Sequence, residues 1–465
     1  MQENKEIKFG TDGWRGVISD NFTFRNVKRV AQAIADYYNA RHKSPKLAIG
    51  YDTRFLSDKY AELMAGVLSA NGIECLIADK PTPTPMLSFK VKNHGLTAGV
   101  MITASHNPGE YNGIKIKTDT GGAAGVEITQ EVENMANAIV EVKEEKSAKI
   151  IREDFSQEYV KFLRSYVDVK KLKTAKFKVL VDPMHGSGDK FIAQVLRGSS
   201  IKLEYTRADI NPSFEGLRPE PVAENLQATM EKMKKEKFDI CLVLDGDADR
   251  IACISPDGEF VSPQKILGLL ALHLHQDRGM TGGLVKTIVG SNMMDNISHK
   301  LGLKLYETPV GFKYISNLME TKDVLVGGEE AGGMGFKGYI PERDGSMAGL
   351  LLLEMMAIRK KSFLKILEEA EKEFGRYFYL RGDIRIPNIK VDYNALKNIK
   401  SVLNQEIVEV KDYDGVKLIF KDSSWLMFRG SGTEPIMRVY AESKSLKKTK
   451  ELLAYGRKLI LRDAL

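Results

Sequence analysis

Cysteine is scarce in this 465-residue chain. There are three, Cys75, Cys241 and Cys253, odd in number and without the spacing of a zinc site or a disulfide framework. Such usage fits a reducing compartment, so a cytoplasmic location is expected. Histidine is nearly as rare, at seven residues. No His-Glu-x-x-His occurs, and His273 and His275, two apart, would point to different faces of a helix, which leaves no case for a zinc hydrolase. Long apolar runs are missing too. The strongest, residues 349–358, is broken by Glu354 and is too short to span a bilayer, and the first residues carry charge in place of an apolar leader core. Neither a membrane anchor nor a secretory leader is expected. Charge of one sign is in mild excess only, 69 basic against 62 acidic residues. The basic clusters 232–237 and 447–450 have acidic neighbours and read as solvated helix surface, so no nucleic-acid partner is expected. The Gly-x-Ser-x-Gly elbow of hydrolases is absent, and the Walker-like segment 279–287 has Val285 where glycine must precede the lysine.

What is present is an ordinary globular balance, 43 % apolar and 28 % charged, which excludes a disordered or collagen-like chain. At roughly 150 residues per domain the length suggests about three domains, with four allowed. The dominant rhythm is a short apolar run, a Gly-rich polar loop, then a helical stretch. Strands are predicted at 47–51, 98–102, 177–181, 240–244 and 323–326. That alternation points to α/β units around largely parallel or mixed sheets. The last ninety or so residues change character. Strands at 384–386, 415–420, 425–428 and 437–441, followed by a helix over 446–461, predict a smaller α+β domain. Breaks in the charged stretch 141–153, after Gly258 and near Gly375 divide the chain into 1–150, 151–258, 259–374 and 375–465.

Four loops carry candidate chemistry. Asp245, Asp247 and Asp249 alternate directly after an apolar strand, and three converging carboxylates repel one another unless a cation sits among them. An all-oxygen donor set suits Mg²⁺ before Zn²⁺, and the EF-hand reading fails because Arg250 and Pro256 stand where glycine and glutamate are required. Ser105, in Thr103-Ala-Ser-His-Asn-Pro108, follows a strand where an α/β sheet places its ligand crevice; by itself it reads as a turn hydroxyl or as a nucleophile. Arg429-Gly-Ser-Gly-Thr-Glu-Pro435 offers backbone amides, hydroxyls and an arginine to a phosphate. Gly328-Glu-Glu-Ala-Gly332 presents acceptors for sugar hydroxyls, or the acidic start of a helix.

Taken together and in this order, the loops resemble those of the α-D-phosphohexomutases, the phosphoglucomutase/phosphomannomutase superfamily. The resemblance runs from Gly10-Thr-Asp-Gly-Trp-Arg-Gly16 to Arg429-Gly-Ser-Gly-Thr-Glu-Pro-Ile-Met-Arg438. It implies three similar mixed α/β domains and a smaller C-terminal α+β domain around a central cleft. It further implies that Ser105 is a phosphoserine and that Asp245, Asp247 and Asp249 hold Mg²⁺ with a phosphate oxygen from Ser105. Gly328, Glu329 and Glu330 would bind sugar hydroxyls, with Arg343 also binding substrate. Arg429, Ser431, Gly432 and Thr433 would bind the phosphate remote from the chemistry. Arg15, Lys115 and Arg250 would surround the reacting phosphate. Lys115 and His106 are the general acid/base candidates, and a lysine buried among cations would have a lowered pKa suited to that role. The implied substrates are small hexose phosphates, with glucose 1,6-bisphosphate as activator, acting on a monomer or dimer. Residues 309–315 are similar to the phosphoglucomutase Gly-Phe/Trp-Lys segment and lean toward glucose, with mannose and glucosamine phosphates as the alternatives. Ala331 replaces the usual serine of the sugar loop, a hydrogen bond worth about 0.5–1.5 kcal/mol. A non-catalytic phosphosugar-binding protein would be expected to lack the serine or break the aspartate loop, and both are intact.

Overall fold

The computed structural model describes residues 6–10, 12–145, 148–188, 190–385, 391–430 and 436–462. Four sheets of seven, five, four and six strands follow one another, and the first three share one scheme. In the first, Lys46–Tyr51 lies parallel to both Glu74–Ala78 and Ala98–Ile102, and Tyr111–Lys117 returns antiparallel beside the latter. In the second, Ile240–Leu244 pairs parallel with Lys178–Asp182 and antiparallel with Ile251–Ile254. In the third, Gly283–Thr287 is parallel to Leu305–Thr308 and Val324–Gly328, and Met334–Phe336 returns antiparallel. The short apolar runs behave as their composition requires. Ala98–Ile102, Ile240–Leu244 and Gly283–Thr287 are buried at every residue, the condition of a strand covered on both faces.

The charged stretch expected to end the first unit closes in a strand instead. Ile150–Glu153 pairs parallel with Glu74–Ala78, so the chain leaves the first sheet near 154 and not at 150. The last sheet is wholly antiparallel, opening with Phe378–Arg385, and packs against the helix Leu446–Arg462. One continuous apolar cluster runs through the first three units, whereas the C-terminal sheet has a core of its own. A small cluster of Ile288, Val289, Trp425, Met427 and Tyr440 joins it to the third unit.

The apolar stretch around Glu354 forms the helix Gly345–Arg359, buried from Gly345 to Met356. Asp344 caps it, accepting from the Met347 amide at 2.8 Å. Glu354 sits inside as a paired charge, accepting from the Asp168 amide at 3.0 Å and lying 3.4 Å from His273 and 3.6 Å from Arg278. His273 and His275 share a single π-turn; the first is buried against Asp277 and the second faces the Met280 carbonyl. All three cysteines are buried and free. Among the described residues no helix is long and apolar enough to cross a membrane.

Candidate active site

The serine, aspartate and 328–332 loops lie at the carboxyl ends of buried strands, where an α/β sheet leaves its crevice. Ser105 follows Ala98–Ile102, is fully buried and has a left-handed backbone, φ +53°. Its Oγ donates to Asp245 Oδ2 at 3.2 Å, and His106 Nδ1 lies 3.4 Å from it. The serine and aspartate loops come from different sheets and meet at Gly246. A Cβ there would lie 2.6 Å from the Ser105 carbonyl oxygen, so only glycine permits the approach.

Asp245, Asp247 and Asp249 are fully buried, and their donor oxygens lie within 4.8 Å of one another. Lys115, on Tyr111–Lys117, donates to Asp247 Oδ2 at 2.8 Å and Asp249 Oδ2 at 2.9 Å, and lies 3.1 Å from Asp12. Arg343 donates to Asp12 at 2.7 Å, Asp249 at 2.6 Å and Glu329 at 3.2 Å. These cations use one oxygen of each carboxylate and leave Asp247 Oδ1 and Asp249 Oδ1 buried without a hydrogen-bond partner. Burial, followed by Asp249 and Asp247, pushes the Asp245 carboxyl well above its ordinary range. Orphaned oxygens and an overcrowded carboxylate are what a hard divalent cation would relieve, so the donor set fits Mg²⁺.

The same geometry corrects one expectation. Lys115 is set among anions, not cations. Burial alone would lower its pKa, but Asp12, Asp247 and Asp249 outweigh burial and raise it. His106 moves the other way: burial first, then Arg250, Arg15 and Arg381, hold it well below the usual imidazole value. Asp12 is held low because Lys115 and Arg343 overcome its burial.

Above this floor opens a cavity of about 430 Å³ reached by all four units. Arg15, Arg250, Glu329, Glu330, Arg343 and Arg429 all line it, as does Ala331. Arg15 donates to Asn107 Oδ1 at 2.7 Å, and Arg250 lies 3.8 Å from Asp249. Gly328-Glu-Glu-Ala-Gly332 begins no helix. It is the turn between Val324–Gly328 and Met334–Phe336, with Gly332 at φ +103°. Thr287 donates to Glu330 at 3.2 Å. Arg429 is held by both oxygens of Asp414 at 2.9 Å. Ser431, Gly432 and Thr433 lie outside the described residues. Sequence reasoning passed over Asp12 and also Arg218, Arg381 and Arg438, which bring the arginines lining the cavity to seven. Asp12 and Arg438 stand inside motifs already quoted; nothing local marks Arg218 or Arg381.

Four family models match in chain order: phosphoglucomutase/phosphomannomutase α/β/α domain I over residues 6–143, domain II over 157–258, domain III over 262–374 and the C-terminal domain over 387–457. The chain is 31 % identical to a phosphoglucomutase/phosphomannomutase of Thermococcus kodakarensis, covering 97 % of this chain and 98 % of that one. It is 31 % identical to a phosphoglucosamine/phosphogalactosamine mutase of Sulfurisphaera tokodaii, covering 94 % and 95 %. The crystal structure of a Thermus thermophilus protein described as a phosphomannomutase superposes with a TM-score of 0.89 at 33 % identity, over 98 % of this chain and all of that one. With every domain of the architecture matched in order, the chain belongs to the α-D-phosphohexomutase superfamily.

Proposed function

We propose that the protein moves a phosphoryl group between the 1- and 6-hydroxyls of a hexose phosphate, through phospho-Ser105 and a hexose 1,6-bisphosphate. The observation that carries this reading is the position of Ser105 Oγ. It is buried against Asp245, directly before His106 and Asn107, which line a cleft whose walls supply seven arginines, donors that grip phosphate oxygens in pairs. Phosphate-monoester chemistry is very slow uncatalysed, so positioning and charge neutralisation must supply most of the acceleration.

In the first transfer the bond from phosphorus to Ser105 Oγ breaks as a bond forms to the sugar hydroxyl. The hydroxyl proton passes by way of His106, placed 3.4 Å from Oγ, to the departing serine oxygen, so that Ser105 ends protonated and His106 ends as it began. The bisphosphate then turns within the cleft, and the second transfer reverses these bonds at the other end of the sugar. Arg15 and Arg250 hold the reacting phosphate, Glu329 and Glu330 the sugar hydroxyls, and Arg429 the distal phosphate. Lys115 and Arg343 lock the aspartates. Asp245, Asp247 and Asp249 would hold Mg²⁺, which supplies charge neutralisation at the phosphoryl oxygens when bound.

Glucose is the first hexose to test, on the strength of Phe312 and Lys313 in the segment beside the cavity. The second reading is a mannose or hexosamine phosphate, which the names of relatives at 31 % identity support equally. The experiment measures glucose 6-phosphate formed from α-glucose 1-phosphate with Mg²⁺ and a trace of glucose 1,6-bisphosphate, beside mannose and glucosamine 1-phosphates. Turnover is expected in the wild type and none in Ser105→Ala. Silence on all three sugars, or an active alanine variant, refutes the proposal.

A further inference from the structure

Beneath the serine loop lies an arginine that neither lines the cleft nor touches the aspartates. Arg54 follows the strand Lys46–Tyr51, and its side chain is wholly buried. A guanidinium has five N–H donors in a fixed plane, and here all five are used. Nε donates to Asp52 Oδ2 at 3.1 Å. Nη1 donates to the carbonyls of Pro108 at 2.7 Å and Tyr111 at 3.0 Å, and Nη2 to those of Ser105 at 2.7 Å and Asn107 at 2.5 Å. Four carbonyls within seven consecutive residues therefore converge on one cation. The ring of Phe214, from the second unit, closes the site 4.9 Å away.

Asp52 extends the network to the serine itself. Its carboxylate accepts from Thr103 Oγ1 at 2.6 Å and Ser57 Oγ at 2.8 Å, and Thr103 Oγ1 in turn accepts from the Ser105 amide at 2.8 Å. Ser105 is thus gripped on both sides, at its amide through Thr103 and at its carbonyl by Arg54. A non-glycine residue at positive φ persists only where its surroundings over-determine it. This one does so where its hydroxyl must face Asp245.

We propose that Arg54 is a positioning residue for Ser105: its guanidinium is the template on which residues 105–111 are folded, and it aims Oγ at the aspartate loop. The inference rests on the function proposed above for Ser105, but the geometry it asserts can be tested apart from turnover. Lysine offers three donors from a point charge and cannot span these carbonyls. Alanine leaves a space the shape of a guanidinium ion.

The test uses Arg54→Lys and Arg54→Ala in the full-length chain. A misplacement of about 1 Å at a reacting atom costs roughly 10²-fold in rate, so kcat is expected to fall by about that factor in both. KM for the hexose phosphate should stay within about twofold, because Glu329, Glu330 and Arg429, proposed to hold the sugar and the distal phosphate, stand on segments Arg54 does not touch. Added guanidinium ion should restore part of kcat in the alanine variant and none in the lysine variant. Hydrogen exchange of the amides in 103–111 should quicken in Arg54→Ala and slow again with guanidinium. That readout holds even where no sugar is turned over, so failure of the functional reading and failure of this one remain distinct. Unchanged kcat in Arg54→Lys, loss confined to KM, or exchange insensitive to guanidinium would overturn the proposal.

Discussion

Replacing Lys115 by methionine isolates the electrostatics of the site. The ammonium lies 2.8 Å from Asp247, 2.9 Å from Asp249 and 3.1 Å from Asp12. At an effective dielectric constant of about 20, each of the closer pairs is worth about 6 kcal/mol of attraction, and removing water from the charges takes much of that back. Methionine keeps the length of the stem, so the change is one of charge. Asp12 and Asp249 would still have Arg343, whereas Asp247 would keep only the Thr84 hydroxyl at 2.6 Å. Stranding a buried carboxylate in this way costs about 3–5 kcal/mol, on the order of 10 °C in the midpoint of the affected unit. The assay is differential scanning calorimetry in EDTA and again in saturating Mg²⁺. In EDTA the variant should melt well below the wild type. With the dication present to neutralise the same carboxylates, the gap should narrow by half or more. A gap of equal size in both conditions, or none in EDTA, would refute the reasoning that lysine and metal share the work of neutralising these aspartates.

Asp344, next in the chain to Arg343, supplies a pH test. Burial pushes its carboxyl up to about 6, against opposing hydrogen bonds from the Met347 amide and the hydroxyls of Tyr159 and Tyr339. The folded chain therefore favours the protonated acid. Its contribution is complete below about pH 4, is lost as pH rises through 6, and amounts to at most about 3 kcal/mol. Wild type minus Asp344→Asn stability should fall across that window, and a flat difference would contradict the assignment. Gly246→Ala should drive the serine and aspartate loops apart, since the new methyl would lie 2.6 Å from the Ser105 oxygen; kcat should drop roughly 10²-fold, and near-wild-type kcat would show that the loops can yield. Arg429→Ala should raise KM for the hexose phosphate by an order of magnitude or more, because a charge-assisted hydrogen bond is worth about 1.5–3 kcal/mol; an unchanged KM would remove Arg429 from the phosphate site.

Much of the candidate site could be read in advance because its signals are local. A run of apolar residues ending in Asp-x-Asp-x-Asp states both the buried strand and the carboxylates at its end. The same holds for Ser105 after Ala98–Ile102. The strands expected at 47–51, 98–102, 177–181, 240–244 and 323–326 followed from that pattern as well, whereas their neighbours Glu74–Ala78, Tyr111–Lys117, Ile251–Ile254 and Gly283–Thr287 were not marked by it, nor was Ile150–Glu153, whose charged approach disguised an edge strand. What could not be read is the set of partners that distant segments supply. Lys115 and Asp247 are 132 positions apart, and whether a lysine sits among anions or cations depends on which sheets pack together. The expected environment of Lys115 was wrong for that reason: the structure sets it against Asp247 and Asp249.

Residues 342–344 show what such long-range assembly accomplishes. Glu342 forms a buried pair with Lys117 of the first sheet. Asp344 is held by Tyr159, ahead of the second sheet, at 2.7 Å and by Tyr339 of its own unit at 2.9 Å. Between them Arg343 reaches Asp12, Asp249 and Glu329. Three adjacent side chains thus bind three α/β units at the point where one arginine meets the metal loop, the sugar loop and the N-terminal motif. A unit that shifted relative to the others would have to pull on a buried charge, and buried charges tolerate little displacement. The C-terminal sheet has a separate core. A small apolar cluster and a set of polar contacts join it to the third unit, among them Lys417 donating to the Ile288 carbonyl at 2.6 Å, Glu442 accepting from the Asn292 amide at 2.9 Å and Lys411 beside Glu307 at 2.8 Å. It also carries Arg381, Arg429 and Arg438 into the cleft. If a bisphosphate must turn about in a cavity of about 430 Å³, opening this unit would have to break the Lys417 and Glu442 contacts, buried charges that tolerate little displacement.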